Sequence, residues 1–180
     1  MSKVTRGPVV NIEDILQSEE HTLTRERRGV YASKLGLIGK ALGTENIGVN
    51  VTIVPPRSKA FPRHYHYHND EMFIVLQGSG TLHYGEEAYP LEPFDVIHIA
   101  AGTGIPFQLA NTSDDELYYL ALSTLDPTDV FVYPDSGKMG IMAKGAPFRD
   151  LSGEGLPRLM KFIPGETEVD YYDRDPEAES

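Results

Sequence analysis

His64-Tyr65-His66-Tyr67-His68-Asn69-Asp70-Glu71-Met72-Phe73-Ile74-Val75-Leu76-Gln77-Gly78 is the stretch on which the reading of this chain turns. Successive side chains of a strand point to opposite faces, so the three histidines share one face and Tyr65 and Tyr67 take the other. Glu71 opens the apolar run Met72 to Leu76, and Gln77-Gly78 closes it with a turn signal. Neutral imidazoles and a carboxylate brought to one point suit a borderline divalent ion such as Fe, Mn, Ni or Zn. The competing reading is an exposed edge strand whose histidines face water.

Composition narrows the setting. At 180 residues, with Gly 17 and Pro 13, one domain rich in turns and short strands is expected. There is no cysteine, so thiolate ligands, disulfides and a thiol nucleophile are excluded and any metal must take N and O donors. Sixteen basic against 27 acidic residues give a net charge of −11, which repels phosphate backbones and disfavours nucleic-acid partners. Residues 166–180 form an acidic tail that includes Tyr171 and Tyr172. The segment Met1 to Val10 lacks the apolar core of a signal peptide, and no run approaches a membrane span. A cytoplasmic protein without a membrane partner is the expectation.

Outward from the histidines, residues 11–17 suggest a short helix with Asn11 as N-cap, and the charged stretch 18–28 reads as loop. Strand-like runs lie near 30–42, 47–54, 60–67, 71–77, 80–84, 95–99, 105–110 and 117–124, separated by Gly, Pro and Asn-Asp breaks. Regular short strands imply an all-β sandwich or barrel. The expected organisation is an N-terminal arm over 1–28, a barrel over 29–126, and an extension over 127–180 that packs on the barrel and ends in the acidic tail.

These motifs resemble the cupin superfamily, whose fold is the double-stranded β-helix or jelly-roll barrel. Its first motif, His-x-His, three or four residues, Glu, six residues, Gly, matches His64, His66, Glu71 and Gly78. Its second is visible in Leu91-Glu92-Pro93-Phe94-Asp95, Ala100-Ala101-Gly102 and Asn111, with Phe94 where Gly is usual. The likeness covers roughly residues 45–125 and is nearest to single-domain bacterial cupins with a Tyr133 to Lys138 segment of this kind. It implies a barrel that binds a small molecule in its lumen, a metal set of His64, His66 and Glu71, and a homodimer. It also implies that Phe107 stands in the slot of a fourth ligand, normally histidine. A phenyl ring donates no lone pair to a metal, so three donors remain, a two-histidine, one-carboxylate set.

Other candidates are weaker. His68 could replace His64 beside His66, at a spacing from Glu71 that fits the motif less well. His98 reads as a core or interface histidine, His83 as surface, and His21 sits in the charged loop. Only one of Tyr118 and Tyr119 can face inward, where a phenol could orient a ligand or move a proton. Gln108 is out of phase with Phe107 and Leu109. Glu86-Glu87 and Asp114 to Glu116 read as solvated turns. Tyr31, Tyr65 and Tyr67 offer outward apolar area for a dimer. Two functional classes stay open: a metal-dependent oxygenase, isomerase or lyase acting on a small oxygenated metabolite, and a non-catalytic ligand-binding or sensory barrel with a degenerate metal site.

Overall fold

The computed structural model describes residues 4–27, 29–144 and 158–165, and antiparallel strands dominate it. In chain order they are β1 (Thr5–Arg6), β2 (Val9–Val10), β3 (Thr22–Arg27), β4 (Tyr31–Gly36), β5 (Ile47–Val54), β6 (Tyr65–His66), β7 (Glu71–Gln77), β8 (Gly80–Tyr84), β9 (Glu87–Leu91), β10 (Val96–Ile99), β11 (Phe107–Ala110), β12 (Leu117–Thr124), β13 (Thr128–Tyr133), β14 (Lys138–Lys144) and β15 (Arg158–Pro164). Two five-residue helices, α1 (Ile12–Leu16) and α2 (Ile38–Leu42), flank β3 and β4. The sheet β10-β7-β12-β5-β4-β3 faces the sheet β11-β8-β9, and a further sheet runs β15-β14-β13-β6. The fold is the all-β, double-stranded β-helix barrel expected from the motifs. No helix among the described residues is long and apolar enough to cross a membrane.

Alternation places the core. On β7, Phe73 and Val75 point inward with Glu71, and they meet Leu82, Phe107, Leu109, Leu117 and Tyr119 in one buried cluster. Full burial of such a side chain is worth roughly 1.5–3 kcal/mol. Strand β5 is buried on both faces: Val54 joins that cluster, while Val51 packs outward against Ile15 of α1 and Ile38 of α2. Asn11 caps α1 as expected, its Oδ1 accepting from Glu13 N at 2.8 Å.

The turn that ends the histidine motif requires its glycine. Gly78 has φ 81°, and a Cβ there would lie 2.2 Å from the Glu116 carbonyl oxygen. Phe94, in the slot where cupins usually have glycine, adopts φ 76° with its side chain 82 % exposed. That backbone costs an L residue on the order of 1 kcal/mol. Asn111 is a structural anchor: its amide donates to the carbonyls of Val54 and Asp115, and its Oδ1 accepts from Ser113.

The local expectations differ from the structure in four places. Residues 22–27 form β3, paired to β4, rather than a loop; a charged stretch suits an edge strand because solvent takes one side of it. The run 30–42 is a strand only to Gly36 and then becomes α2, whose apolar residues fit either period and which Gly43 ends in the left-handed conformation. The run 60–67 shrinks to the two residues of β6, since Pro62 interrupts it. Strand β9 was hidden by Glu86-Glu87 and Pro90, and the C-terminal extension contributes β13, β14 and β15. The acidic tail, 166–180, lies outside the described residues.

Candidate functional site

His64, His66 and Glu71 converge. One ligand atom from each can be chosen so that all lie within 4.8 Å of one another. His64 precedes β6 and exchanges both backbone hydrogen bonds with Phe107. His66 ends β6, held by its pairing with Phe131 of β13, and Glu71 starts β7 between Ile99 and Ser123. The three therefore come from the place where the six-stranded sheet (Glu71), the four-stranded sheet (His66) and the β11 edge of the three-stranded sheet (beside His64) meet.

Hydrogen bonds fix both imidazoles. Nδ1 of His64 lies 2.8 Å from the Pro62 carbonyl oxygen, which only accepts, so that nitrogen carries the proton and Nε2 keeps a free lone pair. Nδ1 of His66 donates to Oδ2 of Asp129 at 2.5 Å, which leaves its Nε2 free in the same way. Nε2 of His66 and Oε2 of Glu71 are buried without any hydrogen-bond partner and stand 3.8 Å apart. Leaving such groups unsatisfied costs about 1–3 kcal/mol each, so the pair fits a cation. Two donors 2.0–2.2 Å from one ion are separated by no more than about 4.4 Å. The His66–Glu71 pair already meets that limit, and the widest pair needs only a small closure.

Asp129 is the residue that the sequence reading missed. It is fully buried on β13, and its carboxylate also accepts from the backbone N–H of His68 and from Nδ2 of Asn69. A carboxylate that holds the far nitrogen of a ligating histidine fixes its tautomer and raises its basicity. The available signal was a lone acid in phase with Phe131 and Tyr133 within an otherwise apolar strand.

Electrostatics agree with this arrangement. Burial, helped by the neighbouring His66, lowers the His64 pKa to about 4, so it is neutral at physiological pH. Burial pushes His66 down, but the Asp129 hydrogen bond and the charges of Glu71 and Asp129 outweigh it and the net shift is upward. Glu71 is raised, chiefly by burial, with the Asp129 charge adding to the effect and His66 opposing it. Asp129 is lowered, because its hydrogen bonds and the charge of His66 overcome its own burial. Two carboxylates thus make the pocket a place that favours positive charge.

The remaining candidates separate cleanly. The ring of Phe107 is only 2 % exposed and lies 4.8 Å from the His64 ring, so it does face the site. Tyr119 is the inward one of its pair; its hydroxyl is fully buried and unpartnered, and burial raises its pKa strongly, which keeps it protonated. Tyr118 instead points out to Glu116. His68 is exposed and touches only the rim of the Asp129 cluster. His98 is exposed on β10, which removes it from the core, and His83 pairs with Gln108 in the facing sheet. Gln108 is buried but occupied, donating to the Phe61 carbonyl at 2.7 Å. The site opens into a cavity of about 550 Å³ lined by, among others, Phe61, Tyr133, Phe131 and Tyr119.

Comparison with known proteins places this barrel. Residues 50–123 match the family model described as the cupin domain. A protein from Acidithiobacillus ferrooxidans, provisionally assigned as a sugar phosphate isomerase, superposes with a TM-score of 0.72 at 18% identity over 91% of this chain and 96% of its own. A cupin-superfamily sugar phosphate isomerase from Silicibacter pomeroyi gives a TM-score of 0.64 at 26% identity over 76% of this chain and 78% of its own. A cupin-2 domain from Rhodospirillum rubrum gives 0.50 at 14% identity, covering 58% and 69% of the two chains. No curated protein matches the sequence. The motif residues, the barrel topology and the family match agree that residues 50–123 form a cupin domain.

Proposed function

We propose that the chain binds a small polyoxygenated molecule in the barrel cavity at a divalent metal, Fe, Mn, Ni or Zn, held by His64, His66 and Glu71, and that it acts on it as a sugar-phosphate isomerase. The observation that carries the metal site is the pair of buried, unpartnered donor atoms on His66 and Glu71 beside the free Nε2 of His64. The Silicibacter pomeroyi protein, similar at 26% identity, supports the isomerase class. A bound ion supplies Lewis-acid polarisation of a ligand carbonyl or hydroxyl. Around it His64 and His66 stay neutral donors, Asp129 holds His66, and the protonated Tyr119 hydroxyl is available to a ligand oxygen. Elemental analysis of protein purified without added metal, then assays of aldose and ketose phosphates with as-purified and chelator-treated protein, test this. One metal per chain and chelator-sensitive interconversion are expected; absence of metal even after loading overturns the reading.

A non-catalytic ligand-binding barrel is the second reading, and Phe107 favours it by removing a donor. Phe107 is therefore a test position. Phe107→His places a fourth imidazole beside His64 and is expected to tighten Zn, Ni or Mn binding by at least tenfold in competition titrations. Loss of packing against Phe73 lowers the melting temperature of the metal-free variant. Metal affinity equal to or weaker than the parent's means that residue 107 does not govern the site.

The homodimer belongs to this proposal too. Tyr67 is exposed beside Tyr65, and the edge strand β10 with its approach carries the exposed side chains of Phe94 and Val96. An apolar edge of this kind needs a cover. Sedimentation is expected to give twice the chain mass of 20.0 kDa; the monomer mass at micromolar concentration sinks the idea.

A further inference from the structure

The inner face of the six-stranded sheet carries Glu71 on β7 and ends, at its far edge, on β3. There the register pairs Arg25 with Ser33 and Arg27 with Tyr31. Two residues apart on a strand, Arg25 and Arg27 share a face, and both line the cavity that holds His64, His66 and Glu71. Among the described residues no other arginine and no lysine lines it. Among the described residues neither arginine has a carboxylate within 4.0 Å, whereas Arg57 and Arg63 are both paired with acids. Both residues are exposed, and Arg27 donates to the Glu26 carbonyl. In a chain of net charge −11, two guanidiniums without carboxylate partners beside a cavity are free to take an anion brought by the ligand.

Geometry links the two ends. The Arg25 guanidinium carbon lies 5.4 Å from the Phe61 ring centroid, and that ring lies 6.5 Å from the His64 ring. The guanidinium is therefore no more than about 12 Å from the His64 imidazole. The cavity is thus polarised, with imidazoles and carboxylates at its floor and two cations at its rim.

We infer that Arg25 and Arg27 grip the phosphate end of a phosphorylated sugar whose oxygens at the other end reach His64, His66 and Glu71. This rests on the metal-dependent reading above and deepens it by naming the residues that select the substrate. A guanidinium presents a planar fork of donors that matches phosphate oxygens bidentately. Two such cations match the charge of a phosphate monoester, which approaches −2 at neutral pH. The competing role for these arginines is to keep the β3 edge from pairing with another chain, and that role involves no ligand.

The test is calorimetric binding, on as-purified protein of known metal content, to three- to six-carbon sugar phosphates and their unphosphorylated parents. At least one sugar phosphate is expected to bind tenfold or more tightly than its parent sugar, with an affinity that falls as salt rises. In the Arg25→Gln/Arg27→Gln variant that preference is expected to vanish while metal content is kept. Arg25→Lys/Arg27→Lys, which keeps the charge but not the fork, is expected to restore part of it. No phosphate preference in the parent, or an undiminished one in the glutamine variant, overturns the inference. The metal reading fails separately, by absence of metal from the parent; inorganic phosphate binding to that same protein, weakened in the glutamine variant, then still supports the arginine site, and unaltered phosphate binding removes it.

Discussion

Protein carrying His64→Ala and His66→Ala together is expected to leave purification without stoichiometric metal, whereas His68→Ala, His83→Ala and His98→Ala keep it. Two of the three donors are then gone, and Glu71 alone offers one carboxylate inside a buried pocket. The surviving ligand cannot replace them, because a single oxygen donor leaves a divalent ion largely unbound. His68 cannot substitute: it is exposed, its ring reaches only Oδ1 of Asp129 while His66 holds Oδ2, and it does not belong to the group of converging donor atoms. In the parent, His64 stays unprotonated down to a pH of about 4. Proton competition for the ion on mild acidification therefore falls first on His66, whose pKa is raised. Elemental analysis and a pH titration of metal retention check both statements. Stoichiometric metal in the double variant means that the ion sits elsewhere.

Asp129→Asn is expected to weaken metal binding by 10- to 100-fold, although Asp129 touches no metal in this arrangement. Its carboxylate fixes the Nδ1–H tautomer of His66 and thereby aims the Nε2 lone pair. An amide of the same shape can present a nitrogen to that position and turn the ring or its tautomer. The substitution also removes a charged acceptor that serves His66, His68 and Asn69 at once. A hydrogen bond to a charged group is worth about 1.5–3 kcal/mol, so a lower melting temperature of the metal-free protein accompanies the loss.

The pH signature of Asp129→Asn separates it from a merely disruptive change. Asp129 has a depressed pKa, so its contribution is present above its unfolded value near 3.8 and is lost as pH falls through the folded value. His66 has a raised pKa, so its contribution is full below 6.5 and is lost as pH rises through the folded value. The metal-free parent therefore gains stability from this pair in the mildly acidic window between the two. That maximum is expected to disappear in Asp129→Asn, in thermal melts recorded from pH 3 to 8. Persistence of the same maximum shows that the pair does not produce it.

Much of this was legible in the residues themselves. The bounds of β5, β7, β8 and β12 follow from alternation and from glycine or proline breaks, because on those strands one face is core and the pattern must be kept. The His64, His66 and Glu71 set is legible because strand parity and one tight turn bring those three residues together within eight positions of sequence. The inward orientation of Phe107 followed from the same parity.

What the tertiary structure alone decided are the partners that arrive from far along the chain. Asp129 reaches His66 across 63 residues, and no local period announces that β13 will pair with β6. Arg25 and Arg27 sit in a charged stretch that reads as loop, and only the pairing of β3 with β4 turns their face toward the cavity. Tyr119 could be told from Tyr118 only once the register with Thr52 and Val75 was known. Local sequence specifies side-chain parity because it is set by the backbone of each strand. Which strands meet is set by the burial of the whole sheet, and that is a property no single stretch contains.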